Sequence, residues 1–533
     1  MPTALLSVYD KNGIVKFAEG LVGLGWNIIA SGGTAKVLTE AGVSVQNVAD
    51  LVGGGPILGH RVVTLSREVH AGLLAKDTAE DREELERLCI PWIDMVCVDL
   101  YPLQDEIAKP GATRESVIEQ TDIGGPTMLR SAAKGRRIVI CDPADREKVI
   151  EWLKCGRFEE DYFITNLVAK AETTVARYCL DSAHFHSNGK YEGVIAKIST
   201  ACKYGENAWQ TPAALYTADS TDPLALEHFR LLAGTLPSYN NLCDLDRLLQ
   251  TMTHIAAVFD VNRSSVPKIA IGAKHGNACG AAIGDSAADV IQRMIEGDDV
   301  AIFGGLVMVN FTINEILAEI LLSWHMPRGE RRLLDGIIAP FFTEGAISML
   351  RRKGDKCRFL ANSVLSILDA STLDTALRRR YVRGGFLSQP NYTFVLDLKD
   401  ERLVKTGQLE TSEENDLLLA WAIGSTSNSN TITLVKDGRL IGNGVGQQSR
   451  VAGCKLAVER ATEAGHYMVN AVAYSDSFFP FGDGPAVLNK AGIRAILTSS
   501  GSVSDDIVKE YCAEYEMVLY LIPDKIGRGF FGH

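Results

Sequence analysis

Short apolar runs alternate with helical patterns along the whole chain, and that alternation limits the fold more than any other feature. TALLSVY reads as a strand, Asp10-Lys11-Asn12-Gly13 as a turn and IVKFAEGLVGLG as a helix. WNIIAS is the next strand, broken by Gly32-Gly33, with Thr34 placed to cap the helix AKVLTEAG. DMVCV and RIVIC are further buried strands. Strands alternating with helices imply a parallel sheet wrapped by helices, so the fold class is α/β. Between Asn188-Gly189 and Asn207 the pattern turns polar, which puts a domain boundary near residue 195. Beyond it KIAIGA, VAIFGGLVMV, GIIAP, TITLV, VNAVAYS, IRAILTSS and MVLYLI recur as strand-like runs with helical patterns between them. The expected organisation is one domain over 1–195 and a second over 196–533, long enough for two subdomains. No internal repeat stands out in the sequence.

Composition narrows the function classes. Lys+Arg 54 against Asp+Glu 66 leaves a formal charge of -12. That argues against a nucleic acid or an anionic membrane as the main partner, while leaving room for a local phosphate pocket. Eleven cysteines without a CxxC pair read as reduced core residues, and the expected compartment is the cytoplasm. The opening MPTALLSVYDKNG is too short a run for a signal peptide, and Asp10 and Lys11 interrupt it. The longest apolar region, Gly305 to Trp324, carries Asn310, Asn314, Glu315 and Glu319, so no membrane span is expected.

Six motifs bear on possible chemistry. Ser31-Gly32-Gly33-Thr34 lies between a strand and a helix, where small residues let backbone N–H groups approach an anion; an ordinary strand-to-helix turn looks the same. Thr121-Asp122-Ile123-Gly124-Gly125-Pro126, followed by Lys134, offers an acid and a base, or simply a capped helix start. Lys274-His275-Gly276-Asn277 follows KIAIGA directly and sets a cation beside a base where α/β sheets place ligands. It is not the zinc deaminase pattern, because Cys279 has no second cysteine nearby. His184-Phe185-His186 lacks a carboxylate cluster and reads as a polar loop rather than a metal site. Gly444 to Arg450 suits carboxylate or phosphate recognition, and Ser475 to Phe481 sets three aromatics beside a turn, as packing or as a wall for a flat heterocycle.

Taken in order, LSVYDKNG, ASGGTAKVL, GHRVVTL, DLYPL, TDIGGPTMLRSAAKG, KYGENAWQ, SYNNL, AKHGNACGAA, FGGLVMVN, DGIIAP, SNTITLVKDG, GVGQQSR, SDSFFPFGDG and SSGSVSDD resemble one family along almost the whole chain. It is the bifunctional purine-biosynthesis family that joins AICAR formyltransferase to IMP cyclohydrolase. The resemblance implies an N-terminal Rossmann-type domain similar to methylglyoxal synthase, carrying the cyclohydrolase. Its nucleotide site carries over onto Tyr9, Asp10, Lys11, Ser31, Gly32, Gly33, Thr34, Arg61, Thr64, Asp99 and Ile123, and its proton-transfer groups onto Tyr101, Asp122 and Lys134. Val63 stands where the family has a site lysine, and Asp99 where it has an asparagine.

The same resemblance implies a C-terminal pair of cytidine-deaminase-like subdomains without zinc. Lys274 and His275 match the catalytic pair; Lys203, Tyr204, Gly304, Asp335, Asn430, Arg450, Phe478, Ser502, Phe531 and His533 match AICAR and folate positions. Lys203 replaces an arginine, Ala208-Trp209 a Pro-His pair and Ala278 a proline, and the terminal arginine is lost or shifted to Arg528. The implied reaction is formyl transfer from 10-formyltetrahydrofolate, as co-substrate, to the 5-amino group of AICAR, then ring closure of FAICAR to IMP. A homodimer is implied, with no catalytic metal. Two rivals stay open: a paralogue that acts on another imidazole ribotide or has lost cyclisation, and a non-catalytic nucleotide-binding regulator. Retention of Lys274, His275 and Lys134 together speaks against the regulator.

Overall fold

The computed structural model describes every residue except His60, Asp219 and His533. The chain divides into two compact units, Met1–Ile195 and Ala196–His533.

The first unit is a parallel five-stranded sheet flanked by helices. Its strands are β1 (Thr3–Val8), β2 (Asn27–Ala30), β3 (Gln46–Asn47), β4 (Met95–Asp99) and β5 (Ile138–Ile140), in the order β3-β2-β1-β4-β5. Leu5, Leu6, Ile29, Val96 and Val139 are buried because helices cover both faces, which is why these strands read as unbroken apolar runs. The strand order reverses between β1 and β4, so the crevice beyond their carboxyl ends is the natural ligand position. One local expectation fails. The second helix starts at Gly32 after Ser31, and Thr34 sits inside its first turn rather than at the cap. The Thr34 hydroxyl is instead buried against β1, accepting from Val8 N at 3.2 Å.

The second unit opens with a hairpin of β6 (Lys197–Cys202) and β7 (Ala213–Thr217), and its core is a twelve-stranded sheet whose halves follow the same path. In the first half, edge strand β8 (Arg230–Ala233) precedes helix Tyr239–Arg263, the hairpin β9 (Lys268–Lys274)–β10 (Asn277–Gly284), and then β11 (Leu306–Val309), β12 (Gly336–Ala339) and β13 (Arg358–Ala361). A second hairpin, β14 (Leu377–Val382)–β15 (Gly385–Pro390), follows. The other half repeats the path with β16 (Val404–Lys405), helix Thr411–Gly424, hairpin β17 (Ile432–Lys436)–β18 (Arg439–Gly444), β19 (Val472–Ser475), β20 (Ala495–Ser500) and β21 (Val518–Pro523). The sheet order is β16-β21-β20-β19-β17-β18-β10-β9-β11-β12-β13-β8, so the same succession of roles is met inward from either edge. The halves join where β10 and β18 run antiparallel, with Ala282 opposite Arg439.

Strand alternation sorts this core into layers. Ile269 and Ile271 face the two central helices, Tyr239–Arg263 and Thr411–Gly424, whereas Ala270 joins Val307 and Ile337 under the outer helices of the first half. Helix Thr411–Gly424 is buried from Asp416 to Gly424, as expected of a helix apolar all round. The run VAIFGGLVMV is shorter as a strand than its composition predicts, because Gly304 takes a positive φ of 74° and only Leu306–Val309 pairs. All eleven cysteines are unpaired; Cys97, Cys357, Cys454 and Cys512 are buried, but Cys89, Cys155, Cys179 and Cys243 are exposed rather than core. Among the described residues no helix is long and apolar enough to cross a membrane.

Candidate functional site

At the carboxyl ends of β1 and β4 lies a cavity of about 740 Å³. Two helix N-termini open into it, through Gly33 and Thr34 of helix Gly32–Glu40 and through Gly124 and Gly125 of helix Gly124–Lys134. Their first N–H groups lack intrahelical partners and carry the positive end of each helix dipole, which suits an anion such as a phosphate. Lys11 adds a cation on the side of Gly33, where a Cβ would lie 3.7 Å from Lys11 Cε. Its ammonium donates to the carbonyl oxygens of Val8 and Tyr9, and burial lowers its pKa while Asp99 and Asp10 oppose the shift.

The acid and phenol expected at this site stand together. Asp122 Oδ1 accepts from Gly125 N at 2.8 Å, so the residue caps its helix and also faces the cavity. Burial raises its carboxyl above the ordinary value, against the hydrogen bond from Gly125. Tyr101 is raised by burial first and by the Asp122 charge next, and its ring centroid is 5.5 Å from that of Tyr9. The opposite wall is held by a long helix, Glu160–His186: Tyr178 Oη lies 2.6 Å from Asp122 N and donates to Gln120 O, with burial pushing the phenol to about 12. Asp99 does not aim a free charge at the cavity, because its carboxylate accepts from the N–H groups of Tyr9 and Asp10, both at 2.9 Å. Arg61 pairs with Glu119 at 3.1 Å.

In the second unit, Lys274 and His275 stand at the tip of the β9–β10 hairpin. His275 and Gly276 both have positive φ, 54° and 75°, the requirement of a two-residue type I′ turn. The exposed His275 is thus held off the sheet end by backbone geometry. Asp244 accepts from Gly276 N at 2.6 Å; burial raises this carboxyl, and the His275 charge works against the rise. Lys274 Nζ donates to Phe303 O at 2.8 Å, which turns the ammonium toward the Gly304 loop. Beside the turn, Arg247 donates to Gly276 O at 3.0 Å, Phe531 O at 2.7 Å and Asn428 Oδ1 at 2.8 Å. Burial and then the Arg378 charge lower Arg247 to about 10. Phe531 is buried, with the Arg247 and Arg378 guanidinium carbons 4.8 and 3.9 Å from its ring centroid.

The comparisons decide the family. A family model described as the AICARFT/IMPCHase bienzyme matches residues 132–460, and an MGS-like domain model matches residues 13–127. A bifunctional purine biosynthesis protein PurH of Anoxybacillus flavithermus is 36% identical, over 97% of this chain and 97% of its own. A protein of the same description from Aquifex aeolicus is 34% identical over 97% of this chain and 98% of its own. The chain belongs to the bifunctional AICARFT/IMPCHase family. A solved structure described as "Crystal structure of ForH" is 34% identical, covering 36% of this chain and 100% of that one, with a TM-score of 0.33.

Against the family pattern, the first unit brings Tyr9, Lys11, Ser31, Gly33, Thr34, Arg61, Thr64, Asp99, Tyr101, Asp122 and Ile123 into one cavity, and Val63 with them. Asp10 and Gly32 do not line it; Asp10 accepts from Asn12 N, within its own turn. Lys134 is not brought there. It ends the helix whose other end carries Gly124 and Gly125, and it lines a separate cleft with Trp92, Arg136 and Arg137. In the second unit Arg450 is committed internally: it pairs with the fully buried Asp476 and donates to Ser475 Oγ at 3.0 Å and Asn430 Oδ1 at 2.8 Å. Asn430 is also occupied through Nδ2, which donates to Gln447 O. The polar groups of these two are thus engaged with each other and with Asp476, Ser475 and Gln447. Asp335 pairs with Arg352 at 2.7 Å. Phe478 and Ser502 lie in the loops after β19 and β20, and Lys203 and Tyr204 in the loop after β6. His533 lies outside the described residues. Sequence reasoning missed Tyr178, Arg247 and Asn428, whose types and spacings carry no signal of their own; it read His184-Phe185-His186 as a polar loop, whereas these residues end helix Glu160–His186 and His186 lines the cavity. Among the described residues no group of three or more His, Cys, Asp or Glu side chains is placed to hold a metal ion.

Proposed function

We propose that the second unit transfers the formyl group of 10-formyltetrahydrofolate to the 5-amino group of AICAR, and that the first unit closes the product to IMP with loss of water. The observation that carries this reading is the intact Lys274–His275 pair, presented on a rigid turn in a chain alignable with PurH over 97% of its length. The AICAR amine is a weak nucleophile because its lone pair is delocalised through the imidazole into the carboxamide. His275 serves as the base at that amine, and Lys274 stabilises charge at the formyl group. Asn428, Arg247 and Phe531 order the floor beside the turn. In the first unit the helix N-termini and Lys11 hold the ribotide phosphate, and Asp122 and Tyr101 act on the reacting end. Closure is intramolecular, so positioning supplies much of its rate. No resident metal is needed.

A homodimer completes the proposal, and sedimentation of the active protein tests it: an active monomer at assay concentration removes it. Product analysis by mass spectrometry, separating FAICAR from IMP, tests the reactions. His275→Ala is expected to lose formyl transfer while IMP binding in the first unit survives. Near wild-type turnover would remove His275 from its role. Val63 favours a second reading, a formyltransferase with slowed ring closure, which accumulated FAICAR would reveal.

A further inference from the structure

Among the described residues that line the cavity of the first unit there is one imidazole, and the family pattern does not single it out. His186 is the last residue of helix Glu160–His186, is exposed, and lines the cavity together with Val63, Tyr101 and Asp122. We propose that the His186 imidazole delivers the proton that ring closure requires, in the role a cation at position 63 would otherwise assist. The proposal rests on the reading of this unit as a ring-closing site.

The proton balance sets what is needed. Ring closure forms a C–N bond between the carboxamide nitrogen and the formyl carbon, opens that carbon's C=O bond, and expels the oxygen as water. The two protons that leave with it come from the carboxamide NH2 and the formamido N–H. Some group must therefore give a proton to the oxygen and recover one from nitrogen, and an exchanger that titrates near the working pH does this best.

Among the described residues the other candidates are engaged or unsuited. Lys11 is engaged with the carbonyls of Val8 and Tyr9 at the Gly33 side of the cavity. Arg61 is paired with Glu119, and Asp99 is held by the N–H groups of Tyr9 and Asp10. Tyr101 is raised by burial, so it stays protonated and donates hydrogen bonds rather than cycling protons. Asp122, also raised by burial, suits the recovery of a proton from nitrogen. Val63 exchanges nothing, and Lys134 faces another cleft. Imidazole is the side chain that ordinarily changes charge between pH 5 and 8.

The imidazole is also placed by a rigid element. Tyr178, two turns earlier on the same helix, is pinned to Asp122 N and Gln120 O, and Asp181 accepts from Gln104 Nε2 at 2.5 Å. His186 follows Tyr178 by eight residues, about 12 Å along the axis at 1.5 Å per residue. Its ring meets Phe185 edge-on, with centroids 5.4 Å apart. The described ionisable groups that share its cavity are Tyr9, Lys11, Arg61, Asp99, Tyr101, Glu119 and Asp122, and Asp181 and His184 stand on its own helix. His184 is engaged with Tyr191 O at 2.9 Å, and Glu106 pairs with Lys109 at 2.5 Å.

The test supplies FAICAR to the full-length protein and follows IMP formation against pH. His186→Ala is expected to lower kcat by about 100-fold or more, with KM and IMP binding little changed. His186→Lys should retain turnover and move the alkaline limb of the profile toward the lysine range, and Val63→Lys added to His186→Ala should return much of the lost rate. An unchanged rate and pH profile in His186→Ala overturns the assignment. If the wild-type protein makes no IMP from FAICAR while still formylating AICAR, the ring-closing reading fails, and the role of His186 with it.

Discussion

At Gly125 a single methyl group decides whether the cavity keeps its acid. A Cβ there would overlap the Asp122 carboxylate and come within 2.7 Å of Leu100 Cδ2, both half-buried side chains with room to shift. Alanine is otherwise welcome inside a helix, by up to about 1 kcal/mol over glycine. Gly125→Ala should therefore leave the melting temperature nearly unchanged while cutting FAICAR-to-IMP conversion at least about tenfold. Unimpaired conversion would mean that Asp122 need not stand where it does. A second residue sets the acid stability of the other unit. His254 is fully buried, shares a hydrogen bond with Gln250 O at 2.8 Å and stacks on Tyr392 at 5.4 Å. Burial lowers its imidazole to about 4. Its folded pKa lies below the ordinary ~6.5 of an unfolded chain, so between these values the unfolded state binds the extra proton. Its neutral form thus contributes stability above about pH 6.5, progressively lost as pH falls toward 4. At pH 5 the loss relative to pH 7 is about 2 kcal/mol. Chemical denaturation at the two pH values should show that His254→Phe loses about 2 kcal/mol less between them than the wild type does; an equal loss in both would place the acid sensitivity elsewhere.

Helices and strands differ in how far their consequences can be read from sequence. The buried parallel strands were legible because unbroken runs such as LLSV and VLYLIP admit few other readings. The glycine turns at Ser31–Thr34 and Asp122–Gly125 were legible as helix starts, the first after β2 and the second after helix Arg114–Glu119, and both line the cavity. Lys134 was not. A motif gives its spacing from Asp122 but not its direction, and the eleven residues of helix Gly124–Lys134 span about 16 Å. The helix buries Met128, Leu129, Ala132 and Ala133 against the sheet, so it cannot rotate or slide to bring its last residue back to its first. Lys134 instead sits at the C-terminal end, where a cation complements the helix dipole by about 0.3–1 kcal/mol. Lys134→Met should thus keep ring closure within about threefold and lower stability by no more than that amount, whereas Asp122→Asn should nearly abolish closure. Loss of closure in Lys134→Met, with nucleotide binding intact, would show that the lysine reaches a reacting centre this arrangement does not reveal. Arg450 shows a related limit: its glycine-rich surroundings look like a ligand loop, and only the fold reveals the buried Asp476 that pairs with its guanidinium. The twofold repeat of the second unit escaped because its halves share topology but few residues: AKHGNACGAA at one hairpin answers to VKDGRLIGNG at the other, with only Lys274, Gly276 and Gly280 repeated, as Lys436, Gly438 and Gly442.

Across the second unit the repeat makes one seam, where β10 meets β18, and the chain's own end is laid over it. Gly529 N donates to Asp476 O at 3.2 Å and Phe531 N to Ser427 O at 3.0 Å, while Arg247 from the first half donates to Phe531 O. Asn428 Nδ2 donates to Gly532 O at 2.5 Å. The tail therefore ties Arg247, on the helix before the Lys274–His275 hairpin, to the Asn428 loop between helix Thr411–Gly424 and β17 of the second half. Ending the chain at Arg528 would remove two acceptors and the ring between Arg247 and Arg378, leaving a mostly buried guanidinium short of partners at a cost of about 1–3 kcal/mol. That loss falls beside Gly276, whose carbonyl Arg247 also holds, so the hairpin tip loses its support without losing its residues. The shortened protein should stay folded, lose formyl transfer by about 100-fold or more, and still convert supplied FAICAR to IMP, because the described residues that line the cavity proposed for ring closure all belong to the first unit. Phe531→Ala should fall between the two, since it keeps the backbone acceptor and removes only the ring. Formyl transfer that survives the truncation would detach the tail from the site, and loss of both reactions would mean that the two units do not act independently.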